Sequence, residues 1–317
     1  MTEITTTQTP NARQAPAAAY LASLATEPGR AGMRSELVKV ARLMGAADWQ
    51  TVDWATLNAA NVAAILANTF GAPATKNKTR AALRGVARSA WRMGLITSEE
   101  LARINDVKGA KGSRDPAGRA IEAWELAAIM RTIASDRDEG HKVSAAIRDA
   151  AIIAIAAKTG ARRDELAGIM RSELECNADC TECTIKVIGK GNKQRTLFVD
   201  NGAMTALCAW LAITKGLTTT DPLFAVISQI GVIGKRRLSN VAMHKMLTRR
   251  AEAAGVKGVS WHDFRRTFAG VLLDLGEDIS TVAQLMGHSN VATTQRYDRR
   301  PQEARRKAAR KISVPVF

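Results

Sequence analysis

Cysteine, tyrosine, histidine and acidic residues are all scarce in this 317-residue chain, and each shortage narrows what it can be. Four cysteines over such a length are not a disulfide framework, and a reducing cytosol is the expected home. No apolar run approaches the roughly 20 residues of a membrane span. Met1 to Ala19 has no cationic stretch ahead of an apolar core, and Glu3 argues against a transit peptide, so no targeting signal is read. With 46% hydrophobic residues the chain is globular, too long for one ordinary core and best divided into two domains. Acidic residues number 30 against 46 Lys plus Arg, leaving a net charge of +16. Such an excess attracts polyanions, and the usual polyanion for a soluble chain is nucleic acid. Charge of this kind names a class of partner and no reaction.

Three of the cysteines cluster as Cys176, Cys180 and Cys183, a C-x3-C-x2-C spacing. It matches no common structural zinc pattern, no His lies nearby, and the fourth ligand would have to be distant Cys208. We read it as a cysteine-bearing loop leading into a hairpin, and expect neither metal nor cofactor.

Residues 1–17, rich in Thr, Ala, Gln and Pro, read as a flexible tail. Residues 18–107 show helical periodicity over Met33 to Met44, Trp54 to Phe70, Lys76 to Met93 and a short piece opening at Thr97, where Glu100 completes a capping-box pattern. Residues 108–120 combine Gly, Pro and charge and form the linker. In residues 121–317 helical patterns cover Glu122 to Ile133, Ile147 to Ala157, Ala203 to Ile213, Ser239 to Ala254, Asp263 to Leu275, Ile279 to Met286 and Thr293 to Tyr297. Two short strands, Thr184 to Val187 and Thr196 to Val199, flank a glycine-rich hairpin signal. The fold class is mostly α with a small β-sheet, an α+β arrangement.

Lys76, Arg80, Arg84, Arg88 and Arg92 recur every four residues along one side of a helix, while Leu83, Val86 and Ala90 fall on the other. Like charges at this spacing repel by a few tenths of a kcal/mol per pair, about 0.2–0.5. A phosphate backbone would remove that repulsion, so the stripe is read as a DNA contact; the alternative is an ordinary solvated face.

Chemistry gathers in the second domain. Thr159-Gly160-Ala161-Arg162-Arg163-Asp164-Glu165-Leu166 ends one helix at Gly160 and starts another with Arg162 in its first turn, beside free backbone N–H groups that favour an anion. Glu165, three residues on, can fix the Arg162 guanidinium. Ser260 to Phe268 puts His262 and Arg265 on one helical face, and His288 precedes Tyr297 by nine residues. Only four His and two Tyr occur in the chain, and two His and one Tyr fall in this last stretch. Singly each has a plain explanation: Arg163 or Arg266 on the surface, His288 at a helix terminus, Tyr297 in the core.

In order, T-G-x-R-x-x-E-L, G-K-G-x-K-x-R in a hairpin, H-x-x-R, L-x-G-H and a Tyr nine residues beyond that His resemble the tyrosine recombinases, the phage integrase and Xer-like family. The resemblance covers Thr159 to Tyr297 and, more weakly, the first domain. It implies a helical core-binding domain and a catalytic domain forming a clamp around DNA. By motif position it implies a catalytic set of Arg162, Lys190, His262, Arg265, His288 and Tyr297. Arg266 stands where that family often has His, and Met286 where Leu is common.

The implied reaction is metal- and ATP-independent: Tyr297 attacks a phosphodiester, leaving a 3′-phosphotyrosine and a free 5′-OH. A phenol is almost wholly protonated at neutral pH, so His262 would accept its proton and the cations would favour the phenolate. Arg162 and Arg265 would hold nonbridging phosphate oxygens, with His288 a further donor. Lys190 on the hairpin tip would protonate the leaving 5′ oxygen; Lys193 is its rival but more plausibly meets the DNA backbone. Glu165 would orient Arg162. The expected partners are a double-stranded recombination site and further copies of the chain, a dimer per site and a tetramer in the synapse, with no membrane. The basic tail after Pro301 would dock on a neighbouring protomer, and the expected location is the cytoplasm, at the nucleoid. Two other readings stand beside this one, a type IB topoisomerase and a catalytically silent DNA-binding architectural protein.

Overall fold

Helical periodicity dominates both halves of the chain, and local caps decide where each helix begins and ends. The computed structural model describes residues 13–112, 118–139, 142–189, 193–288, 290–295 and 297. It divides into two compact units, Met1–Asp115 and Pro116–Phe317. Among the described residues no helix is long and apolar enough to cross a membrane.

The first unit contains α1 (Ala15–Ala22), α2 (Glu27–Leu43), α3 (Ala59–Asn68), α4 (Pro73–Arg92) and α5 (Ser98–Asp106). Their apolar faces close over Leu37, Val40, Trp54, Leu83, Val86 and Ile104, all wholly buried. Helix α1 lies close on α4 because residue 85 is glycine: a Cβ there would sit 2.1 Å from the Tyr20 ring. Three sequence expectations need correction. Residues 15–17, read as tail, already belong to α1, where Pro16 presets the helical φ of the first turn. The single helix expected over Trp54 to Phe70 is broken into a 3₁₀ turn, Trp54–Thr56, and α3, because the Asn58 side chain accepts the Asn61 N–H at 2.8 Å and starts a new helix. Thr97 does cap α5, but Glu100 does not return the bond: its carboxylate accepts the Ala59 N–H at 2.7 Å, holding the start of α3.

The second unit contains α6 (Ala123–Asp138), α7 (Val143–Thr159), α8 (Arg163–Gly168), β1 (Leu174–Cys176), β2 (Glu182–Gly189), β3 (Lys193–Asp200), α9 (Asn201–Ile213), β4 (Ala225–Ile227), β5 (Ile233–Arg237), α10 (Asn240–Ala253), α11 (Trp261–Asp274), α12 (Ile279–Met286) and α13 (Val291–Gln295). Helix α7 is the axis of the core, buried among Ile129, Leu197, Trp210, Phe224 and Phe264. Asp149 on α7 is fully buried and accepts from Arg148, Arg249 and Arg250 at 3.0 Å each, which ties α7 to α10.

The unit is mostly helical with small antiparallel sheets, the class the pattern predicts. Among the described residues five strands replace the expected two: a sheet of order β1-β2-β3 and a separate β4-β5 pair. Strands β1, β4 and β5 run only three to five residues, and β1 and β5 carry exposed or charged side chains, so no alternation marks them. The β2–β3 register ends at Gly189 opposite Lys193, leaving residues 190–192 as the connection. Cys176 on β1 lies directly opposite Cys183 on β2 with their sulfurs 2.6 Å apart, and all four cysteines are free thiols.

Candidate active site

Arg162, His262, Arg265, His288 and Tyr297 all lie in or beside helix ends. Helix α7 ends at Gly160, which adopts φ +57°; a Cβ there would meet the Phe268 ring at 2.7 Å, so glycine lets the chain reverse against α11. Arg162 follows as the residue capping α8, one position before the first turn expected for it. Its backbone N–H reaches Glu165 Oε2 at 2.8 Å and its Nη1 reaches Oε1 at 2.7 Å, the pairing predicted from their spacing. Helix α11 opens with Ser260, whose backbone N–H and hydroxyl both bond Asp263 Oδ2, at 2.8 and 2.7 Å. That cap fixes the first turn and turns His262 and Arg265 to the same face.

Arg265 is buried and donates to Gly160 O at 2.8 Å and to Met286 O, joining the end of α7 to the end of α12. Arg162 Nη2 approaches Gly287 O at 3.4 Å, and Arg195 from β3 bonds both Leu285 O and Glu165 Oε2. Two guanidiniums, Arg162 and Arg195, thus share the Glu165 carboxylate, with Arg265 close by. Burial alone would raise the Glu165 carboxyl, but its bonds to Arg195 and Arg162 outweigh that and hold it below the ordinary range. Burial and then repulsion from Arg162 and Arg195 push Arg265 down to about 10, still charged at neutral pH. Such a cluster is short of negative charge and invites an anion.

Tyr297, just beyond α13, packs on Ala269, Leu273, Val282 and Met286 and is 8% exposed. Its hydroxyl lies 3.2 Å from His262 Nε2. The His288 ring stacks on it at 5.9 Å and 11°, and His288 Nδ1 pairs with the buried Thr294 hydroxyl at 2.8 Å. Burial, then Arg266 and Arg265, hold His262 below the ordinary histidine value, so it is neutral at pH 7 and able to accept a proton. Burial and the three arginines lower His288 from 6.5 to about 4. An open depression of about 320 Å³, lined by Arg162, Arg163, His244, Ser260, His262 and Arg265, adjoins these groups.

The His288 shift carries a stability consequence. Its folded pKa lies below its unfolded one, so between pH 6.5 and about 4 the unfolded chain binds a proton that the folded chain refuses. Stability should therefore fall as pH drops through that window. Thermal midpoints across it are expected to decline less steeply for His288→Asn than for wild type.

The structure brings together Arg162, Glu165, His262, Arg265, His288 and Tyr297. Lys190, with residues 191 and 192, lies outside the described residues, as does the basic segment after Pro301. Lys193 opens β3 and is exposed. Of the basic stripe on α4, only Arg88 and Arg92 are exposed; Arg80 Nε donates to Val107 O at 2.6 Å and holds the exit of α5, and Arg84 Nε is buried without a hydrogen-bond partner. Arg266, open to a surface reading, is in fact 3% exposed. Sequence reasoning gave no role to Arg195 or Thr294. Arg195 is the last residue of the G-K-G-x-K-x-R pattern and could have been singled out there; nothing marks Thr294.

Comparison with known proteins identifies the family. The model of the phage integrase family matches residues 119–303, more than half of the chain. Tyrosine recombinase XerC of Mycobacterium tuberculosis (strain ATCC 25177 / H37Ra) is 31% identical over 244 residues, 73% of this chain and 75% of that protein. Tyrosine recombinase XerC 1 of Ralstonia nicotianae is 31% identical over 231 residues, 68% of each chain. In fold the chain is similar to the XerH site-specific recombinase bound to palindromic difH substrate (TM-score 0.67, 21% identity, 89% of this chain and 79% of that one). It is also similar to the Tn1549 transposon integrase in complex with transposon right end DNA (TM-score 0.64, 15% identity, 94% and 98%). With a family match over residues 119–303 and relatives 31% identical over more than two thirds of the chain, the chain belongs to the phage integrase family and is a tyrosine recombinase.

Proposed function

We propose that the chain cuts and rejoins double-stranded DNA at a specific site through a 3′-phosphotyrosine on Tyr297, in the integration, excision or resolution of mobile DNA. The observation that carries the mechanism is the 3.2 Å approach of the Tyr297 hydroxyl to His262 Nε2 beside the arginine cluster. His262 takes the phenol proton as the phenol oxygen bonds to phosphorus. Arg162 and Arg265 keep unengaged N–H groups for the nonbridging oxygens, where charge builds in the transition state. A neutral His288 whose Nδ1 accepts the Thr294 hydroxyl presents Nε2–H as another donor. The P–O bond to the 5′ oxygen breaks and Lys190 supplies the proton that makes it a 5′-OH. A 5′-OH from another cut strand can then attack the phosphotyrosine, which exchanges strands without metal or nucleotide.

The chain is proposed to work in the cytoplasm as a dimer on each site and a tetramer in the synapse. Purified protein on a nicked half-site should yield an SDS-resistant adduct, and two full sites should yield recombinant product. Relaxed DNA without exchanged partners would overturn the recombination step, and binding with no adduct would overturn the chemistry.

Lys76, Arg80, Arg84, Arg88, Arg92 and Lys193 are proposed DNA contacts, with Arg88 and Arg92 the most accessible of the α4 set. Each phosphate contact contributes about 0.9 to the slope of log affinity against log salt. The Arg88→Ala, Arg92→Ala double variant should therefore lower that slope by about 2, measured by fluorescence anisotropy across a salt series.

A further inference from the structure

Helix α12 ends in a turn whose bonds, Gly287 N–H to Gln284 O and His288 N–H to Ala283 O (2.9 Å each), satisfy two of its terminal carbonyls. The next three carbonyls each accept from a different arginine: Leu285 O from Arg195, Met286 O from Arg265 and Gly287 O from Arg162. Arg162 and Arg265 also belong to the proposed phosphate site. Arg195 does not. Its side chain is 8% exposed, one Nη is on Leu285 O, the other lies 2.7 Å from Glu165, and its Nε is buried without a hydrogen-bond partner. A DNA backbone cannot reach it.

We propose that Arg195 is a positioning residue, which ties Glu165 to the end of α12 so that Arg162 and His288 meet the scissile phosphate as one rigid unit. The inference rests on the recombinase reading above. Two independent features support it. Gly287 adopts φ +63°, and a Cβ there would lie 2.6 Å from Arg195 Cδ, so the arginine stem fills the space that a side chain beside His288 would need. Arg195 is also the stronger of the two partners that hold Glu165 ionised. Without it, Glu165 would have Arg162 alone, and the whole attraction of a buried carboxylate would draw that guanidinium away from the phosphate.

The test is single-turnover adduct formation by the full chain on a nicked half-site at saturating DNA, with DNA affinity measured in parallel. Arg195→Ala should lower the rate constant by up to about 100-fold, the scale of a small misplacement of catalytic groups, with amplitude and affinity unchanged. Arg195→Lys should recover part of the loss, since an ammonium can pair with Glu165 but lacks the fork that reaches Leu285 O as well. If the alanine variant does not fold, the lysine variant carries the test through a reduced rate constant at wild-type amplitude. Wild-type rate constants in the variants, or a loss confined to amplitude, would overturn the proposal. Absence of any adduct with the wild type would instead overturn the recombinase reading, so the two failures are distinct.

Discussion

Replacing Tyr297 with Phe is expected to abolish the covalent protein–DNA adduct while leaving the fold and DNA affinity intact. The substitution removes one oxygen. The ring still stacks on His288 and still fills the pocket between Ala269, Leu273, Val282 and Met286, so the packing that places residue 297 survives. What disappears is the hydroxyl 3.2 Å from His262 Nε2, worth on the order of 1 kcal/mol to stability as a hydrogen bond and everything to the chemistry as the proposed nucleophile. Denaturing gels of protein mixed with a nicked half-site read the adduct directly, and a retained adduct would place the nucleophile elsewhere. The same assay carries a pH signature. His262 acts as a base only when neutral, and burial with Arg266 and Arg265 holds it below the ordinary value of 6.5. The wild-type rate should not depend on His262 protonation around neutrality and should fall on the acid side only after pH drops below that value.

The helices of this chain were legible because their apolar periodicity is strong and their caps are local. Thr97 and Gly160 each act within four residues of themselves, whereas the equally local cap at Asn58 lies inside an apolar stretch and splits a helix that periodicity alone runs together. Strands β1, β4 and β5 were not legible. A strand of three residues has no period to detect, and Lys235, Arg236 and Arg237 on β5 look like any charged loop. The destination of Glu100 was hidden for a related reason: its spacing from Thr97 is local, but its actual partner, the Ala59 N–H, is supplied by tertiary packing.

The site divides along the same line. Residues that would touch the phosphate sit in short motifs beside helix ends, so their positions could be read one motif at a time. The groups that hold them could not. Arg195 meets the site by donating to a backbone carbonyl, and carbonyls carry no sequence signature. Arg80 reads as one cation of a DNA-facing stripe, yet its Nε is taken by Val107 O, so only its terminal nitrogens are left for a phosphate. Periodicity reports which face of a helix a residue occupies. It does not report whether another segment of the chain has already claimed that face.

Arg265→Gln should show the second large effect, a fall of about 10²–10³ in the rate constant for adduct formation. The guanidinium has two tasks. It bonds Gly160 O and Met286 O, joining α7 to α12, and its remaining N–H groups are proposed to hold the scissile phosphate. Glutamine retains one amide donor group, so it can satisfy part of the first task and supplies no charge for the second. An unpaired buried carbonyl costs about 1–3 kcal/mol, so the variant should also unfold at lower denaturant than wild type. The two losses separate cleanly: lowered stability reduces the fraction of active molecules and hence the amplitude, whereas lost transition-state charge reduces the rate constant at full amplitude. Arg162→Gln is the matching control, because Arg162 is one-third exposed and its Gly287 contact is long at 3.4 Å. It should lose rate on the same scale with a smaller change in stability. A rate constant near wild type in either variant would mean that the phosphate is held by other groups.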